Sequence, residues 1–281
     1  MNVAELLDIE ASYDKVGVYD QDAINGFSEQ TLNTMLEIVN PEQASNILDA
    51  MAGNGNLTLR LYDYCKQCGI TPPNIVLLEH SRVQCEFAKM ELADTPTKIV
   101  WGDVLTMENY ESDEALPEKF FDRVMIKSGN HEIPLEKQLD LYSNVFRVLK
   151  PGGTFVNLGF LFDDVEERNE FREIARGKDN LAGLRSAANN RHFLTRDELY
   201  TRLHQAGFVD IRCGMHVQYT IRSLAVTQAY FPKHAWEQVD AELQAQQAKA
   251  MILRRKGRIH FHGDSSTMLC PGEITVARRP V

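Results

Sequence analysis

The sequence predicts an α/β fold: a doubly wound sheet of seven strands, mostly parallel with an antiparallel last strand, and helices on both faces. Three observations carry this expectation. From residue 46 onward, short apolar runs alternate with helical stripes, the pattern of a parallel sheet built by crossover connections. The first such run, Ile47 and Leu48, closes on Asp49 and bends through Gly53-Asn54-Gly55 into a helical pattern. After the last helix come two extended stretches, GRIHFHGD and MLCPGEITVARR, turning at Gly263-Asp264, which supply the closing strand. With 281 residues, 43% apolar and 25% charged, the chain has the composition of a folded globular protein.

The elements follow in order. Ser28 is a good N-cap for a helix carrying Leu32, Met35, Leu36 and Val39, and Pro41 ends it. Ahead of it lies SYDKVGVYD, whose Tyr13 and Tyr19 sit among aspartates, either as a surface loop or as a lid. Residues 1–45 are therefore read as an N-terminal helical lid segment, and 46–281 as the main domain. Leu57, Leu61, Tyr64 and Cys68 form a helical stripe that Pro72-Pro73 breaks. IVLLEHS is the second strand, ending at Glu79, and Val83, Phe87 and Met90 carry the next helix. IVWGDVL is the third strand, opening into Gly102 and Asp103, and FFDRVMIKS is the fourth. Leu135, Leu139, Tyr142, Phe146 and Leu149 step at helical spacing up to LKPGG, which turns into a fifth strand, TFVNLGF. Residues 161–193 break the alternation with a charge-dense helical piece and a stretch rich in glycine and asparagine, read as a cap insertion. Thr195 and Glu198 make a capping box, with Leu194 stapling Leu199; that helix ends at Gly207 and FVDIRC is the sixth strand. Trp236, Val239, Leu243, Ala250 and Leu253 fit one long helix capped by Gly257.

Charge and cysteine usage narrow the function. A net charge of −10 argues against a general nucleic-acid binder. The basic cluster Arg254, Arg255, Lys256 and Arg258 reads as a solvated helix end. No apolar run reaches the length of a membrane span. The start, MNVAELLDIEAS, is acidic and lacks a secretory pattern; with five cysteines, an odd count, this points to reduced thiols in the cytoplasm. Cys65 and Cys68 have redox spacing but no second pair, so packing is expected of them. His260 and His262, with Asp264 and Cys270 nearby, are expected to be structural, and no metal is expected.

The glycine bend points to a nucleotide-like ligand, because glycines admit close backbone approach and a helix N-terminus presents unpaired N–H groups. Two ligand classes compete. A dinucleotide fingerprint wants a small residue where Thr58 stands, and a pyrophosphate is repelled by a carboxylate such as Asp49. A cationic sulfonium tolerates that carboxylate, which favours S-adenosyl-L-methionine over NAD.

Asp49-x-x-x-Gly53-x-Gly55, the acidic strand end Glu79, Gly102-Asp103 and LKPGG at 149–153, in that order and spacing, resemble the class I S-adenosylmethionine-dependent methyltransferases over residues 28–278. The resemblance implies a Rossmann-like seven-stranded sheet and a methyl-transfer reaction. It implies that Glu79 accepts from the ribose hydroxyls, that Asp103 accepts from the adenine amino group, and that Val104 lies on the ring face. Gly53 would let the backbone approach the methionine part, with Asp49 near its charged end. Ala50, Asn54, Gly55, His80, Gly102 and Tyr19 complete the expected cofactor set. Lys127, with Ser128 beside it at the end of the fourth strand, departs from expectation: a cation there repels a sulfonium unless it turns away or binds substrate.

The loop after the fourth strand, GNHEIP, carries His131 and Glu132, the expected catalytic pair. His131 is the expected base because an imidazole titrates near neutral pH. Enzymes that methylate nucleic-acid amides resemble one another in carrying D/N-P-P-Y there. This chain has KSGNHEIP, which favours a small-molecule methyl acceptor. Asn189, Asn190, Arg191 and His192 offer hydrogen bonds to a polar one. An NAD-linked oxidoreductase and a cofactor-binding relative that does not methylate remain as alternatives.

Overall fold

The computed structural model describes residues 25–181, 185–231, 233–263 and 265–281. Tyr13, Tyr19 and Asp264 lie outside the described residues. The central strands are β2 (Asn46–Ala50), β3 (Asn74–Glu79), β4 (Lys98–Asp103), β6 (Phe121–Lys127), β7 (Leu149–Phe160), β8 (Val209–Arg222) and β10 (Ser265–Arg278). They stand in the order β8-β10-β7-β6-β2-β3-β4. Pairs among β2, β3, β4, β6 and β7 are parallel, and β10 runs antiparallel to both β7 and β8. The seven expected strands and the antiparallel closing strand are therefore present. Three short strands make the sheet ten-stranded: β1 (Asn25–Gly26) on β8, β5 (Glu108–Asn109) on β4 and β9 (Ile259–His262) on β10.

Period-two alternation divides the strands between two cores. Ile47, Met125, Val156 and Ile274 face one layer, with Leu32, Met35 and Leu36 of α1 (Glu29–Val39) and Leu57 and Leu61 of α2 (Asn56–Cys68). Leu48, Val124, Ile126 and Phe155 face the other, with Leu141, Tyr142 and Val145 of α4 (Gln138–Val148) and Leu199 and Leu203 of α7 (Arg196–Gln205). A third helix, α3 (Arg82–Glu91), follows β3. Ser28 caps α1 and the Thr195–Glu198 capping box opens α7, both as read from sequence. The described part of the expected lid, residues 25–45, is core: Leu32, Met35, Leu36 and Val39 are buried, and β1 joins the sheet.

Several local expectations shift. The helix expected from Leu135 starts at Gln138 after a 3₁₀ turn; Leu135 and Leu139 are exposed, and Leu141 and Val148 hold the core instead. On α2, Cys65 is buried but Cys68 is exposed. The expected long helix is two, α9 (Trp236–Lys249) and α10 (Met251–Arg255), broken at Ala250 with ψ 88°. Another helix, α8 (Ser223–Tyr230), continues directly from β8.

The insertion at 161–193 forms α5 (Val165–Leu181) and α6 (Arg185–Asn190). Acids of α5 pin it to the segment around α10. Glu170 accepts from the amides of Ile252 and Leu253 at 2.9 Å each, and buried Glu167 takes Lys256 and Arg258 at 2.8 Å each. Part of the basic cluster is thus spent on cap carboxylates. Among the described residues no helix is long and apolar enough to cross a membrane.

Candidate active site

β3 departs from one side of β2 and β6 lies on the other, so a crevice opens beyond the carboxyl ends of these strands. A cavity of about 1090 Å³, partly open to solvent, occupies it. Of the expected residues, Gly53, Asn54, Glu79 and His80 line it, as do Gly102, Asp103, Val104 and Lys127. Asp49, Ala50 and Gly55 do not; they lie behind the bend.

The bend is held by acids from below. Gly55 is the N-cap of α2 at φ 83°, a left-handed conformation suited to glycine, and it has no side chain to cap the helix. Asp49 supplies the missing carboxylate, accepting from the Thr58 hydroxyl at 2.7 Å. This corrects the reading of Asp49 as a ligand-facing residue and explains Thr58, which stands where a dinucleotide site wants a small residue. Burial raises the Asp49 pKa to about 7, against the Thr58 hydrogen bond and the Lys127 charge, which lower it. Lys127 therefore lines the cavity with its charge partly answered by Asp49.

Glu79 fixes the bend from the next strand tip: its Oε2 accepts from Gly53 N–H at 2.7 Å and its Oε1 from Ser81 N–H at 2.8 Å. Burial raises its pKa as well. One strand over, Asp103 accepts from Leu105 N–H at 2.8 Å. Gly102 admits no side chain, since a Cβ would stand 2.0 Å from the Glu108 carbonyl oxygen. His80 bonds Tyr110 through Nδ1 at 2.8 Å, and its buried Nε2 has no partner. Glycine backbone, two accepting carboxylates on successive strand tips and a vacant imidazole nitrogen are groups that a nucleoside can hydrogen-bond.

At the other end of the cleft, Met51 and Ser128 hold left-handed conformations, φ 57° and 59°, with Gly129 packed so close that a Cβ would meet Met51 at 2.8 Å. Strain at non-glycine residues gathers where a site dictates the backbone. The turn Asn130–Glu132 follows. Buried Gln138, missed by the sequence reading, ties it to the cap, donating to the carbonyls of Asn130 at 3.2 Å and His192 at 3.1 Å.

The turn sends its two catalytic candidates to different cavities. Glu132 lines the cleft, and burial raises its pKa to about 7. His131 lines a second cavity of about 750 Å³, walled by Phe160, Phe171, Phe193 and Tyr219 with Lys178 and Arg191. Its ring stacks on Phe193 at 5.1 Å, and its Nε2 accepts from Arg191 at 3.2 Å. Burial and the charges of Arg191 and Lys178 push its pKa well below the ordinary imidazole value. The reason for choosing His131 as the base, titration near neutral pH, does not hold here. Asn189 is exposed and only Arg191 of the four polar cap residues reaches a cavity.

Among the described residues one set, Cys213, His216 and Glu273, brings three metal-ligating atoms within 4.8 Å of one another. Glu273 is already satisfied by Arg196, Tyr200 and Thr275 at 2.7–2.8 Å, as a structural carboxylate is. His260 and His262 are exposed on β9, whereas Cys270 is buried.

Residues 47–153 match the family described as a methyltransferase domain. No curated protein matches the chain in sequence. Solved structures share the fold. A putative methyltransferase from Bacillus halodurans is 15% identical with a TM-score of 0.69, and the match covers 90% of this chain and 100% of that one. The YcgJ protein from Bacillus subtilis is 12% identical, with a TM-score of 0.72 and the same coverage. Phosphoethanolamine N-methyltransferase 2 from Haemonchus contortus, solved with S-adenosyl-L-methionine, is 13% identical with a TM-score of 0.58, over 98% of this chain and 57% of that one.

Proposed function

We propose that this chain, whose residues 47–153 match a methyltransferase domain, is of the class I S-adenosylmethionine-dependent type, binds that donor in the strand-tip cleft and methylates an O, N or activated carbon of a small molecule. The observation that carries this is the convergence of Glu79, Asp103 and side-chain-free Gly102 on one cavity. Glu79 would hold the ribose hydroxyls, Asp103 and the Val104 face the adenine, and the Gly53 backbone the methionine part. The bound sulfonium supplies an electrophilic methyl group. The protein supplies alignment and exclusion of water, which contribute about 7–11 kcal/mol.

Glu132 is the base in this reading. A carboxyl poised near pH 7 suits proton abstraction, which adds about 10²–10⁴-fold in rate. His131 stays neutral in its aromatic wall and positions its neighbours. Net charge supports a small acceptor over nucleic acid. The five free thiols support a cytoplasmic protein.

Calorimetric titration with S-adenosylmethionine and with NAD tests the reading. Saturable heat with the first and none with the second is expected; the reverse would install an NAD-linked oxidoreductase. Formation of S-adenosylhomocysteine across a metabolite panel then tests transfer, and its absence everywhere would favour a relative that binds without methylating.

A further inference from the structure

We infer that the second cavity is the acceptor chamber and that its ligand is an apolar ring compound bearing a hydroxyl group, a phenol or an enol. This rests on the donor occupying the strand-tip cleft. Ser128 is the residue that the two cavities share, so a methyl group passing from one to the other crosses beside it.

The body of the chamber is hydrophobic, with four aromatic rings among aliphatic side chains. Phe160 meets Tyr219 at 4.3 Å between ring centroids and Phe193 at 5.5 Å, and Phe171 meets Phe193 at 4.8 Å. Ile174 and Val226 fill out the wall. Such walls favour a flat ring, which gains both from area removed from water and from edge and face contacts.

Three buried polar atoms of the lining have no partner: Ser128 Oγ, His131 Nδ1 and, on α9, Gln247 Oε1. These residues are 4%, 5% and 3% exposed. Arginine only donates, so His131 Nε2 must accept from Arg191, and the single proton of the neutral imidazole stands on Nδ1. A buried N–H without an acceptor is costly. An oxygen on the ligand offsets that cost. A hydroxyl at the junction of the cavities fits Ser128 and His131 together. It accepts from Nδ1–H and bonds Ser128, and its proton passes beside Ser128 to Glu132 in the cleft. A protonated amine would face Lys178 and Arg191, two cations that share the one carboxylate of buried Asp179, and a carbonyl or ether has no proton to give.

In the transfer the hydroxyl proton passes to the Glu132 carboxylate. An oxygen electron pair forms the new O–CH₃ bond, and the electron pair of the broken S–CH₃ bond returns to sulfur, leaving S-adenosylhomocysteine.

The test uses the full chain saturated with S-adenosylhomocysteine and reads equilibrium binding of 2-naphthol and of naphthalene by fluorescence. Expected is 2-naphthol binding at least tenfold tighter than naphthalene. His131→Phe, which keeps the ring stack, should bring 2-naphthol to the naphthalene level, and Val226→Trp should weaken both at least tenfold with S-adenosylhomocysteine affinity unchanged. Equal binding of the two probes, or no binding of either, overturns the hydroxyl assignment. Wild-type affinity for 2-naphthol in Val226→Trp, or in a second filling variant, Ile174→Trp, overturns the chamber assignment. Failure of S-adenosylhomocysteine itself to bind the wild type would instead overturn the donor reading.

Discussion

The strand-tip cleft and the aromatic chamber meet at one residue but are built on different terms. The cleft is assembled mainly from backbone and acids at the ends of four neighbouring strands, β2, β3, β4 and β6, between residues 51 and 134. The chamber draws its wall from the turn after β6, the end of β7, the cap helix α5, β8, α8 and α9. The cleft is fixed by hydrogen bonds with few alternatives, and the chamber by side-chain volume that substitution can reshape. One half recognises a fixed cofactor and the other sets a choice of acceptor.

The largest expected effect breaks the polar side of this contrast. Glu132→Gln should lower kcat by about 10²–10⁴-fold and remove the rise of kcat/KM through about pH 7 expected of the wild type as Glu132 ionises; an unchanged pH profile would return the base to another group. Gly102→Ala should weaken S-adenosylhomocysteine by about 100-fold or more, on the order of 3 kcal/mol, because the Cβ drives against the Glu108 carbonyl. Calorimetry reads it, with a melting curve to separate lost binding from lost folding.

Glu79→Ala leaves the Gly53 and Ser81 amides without their acceptor. At about 1–3 kcal/mol for a buried group left unsatisfied, cofactor affinity should fall about tenfold or more, while 2-naphthol affinity for the chamber changes little. Loss of both together would mean the two halves are not separable.

How much of this could be read in the sequence follows the same division. Glu79 and Asp103 were legible because a strand tip followed by a turn has one place to put a carboxylate, and the seven strands followed from alternation alone. Asp49 was legible as important but not in its role: its orientation depends on Gly55 having no side chain to cap α2. Phe160, Phe171, Phe193 and Tyr219 carry no signal in the sequence that groups them, since their convergence depends on how α5 docks against the sheet edge. The break at Ala250 and the start of α8 carry no glycine or proline to announce them. His131 was found by its loop position, but its neutrality comes from burial first and then from the charges of Lys178 and of Arg191, 60 residues away.

The smallest expected effect concerns pH. Asp49 has a folded pKa of about 7, above the ordinary 3.8, so the folded state retains a proton that the unfolded chain has lost. Its contribution therefore turns unfavourable as pH rises from about 4 to about 7 and is constant above. Asp49→Asn removes that term and keeps an acceptor for Thr58. Its melting temperature relative to wild type should climb across that window, by a few degrees at pH 8. A constant difference across pH would mean that Asp49 ionises normally.

The most direct measurement is a crystal structure grown with S-adenosylhomocysteine. The expected result has the ribose hydroxyls on Glu79, the adenine beside Asp103 and Val104, and the sulfur next to Ser128 with the aromatic chamber open beyond it. Electron density for the nucleoside among Phe160, Phe193 and Tyr219, with Glu79 and Asp103 untouched, would contradict it.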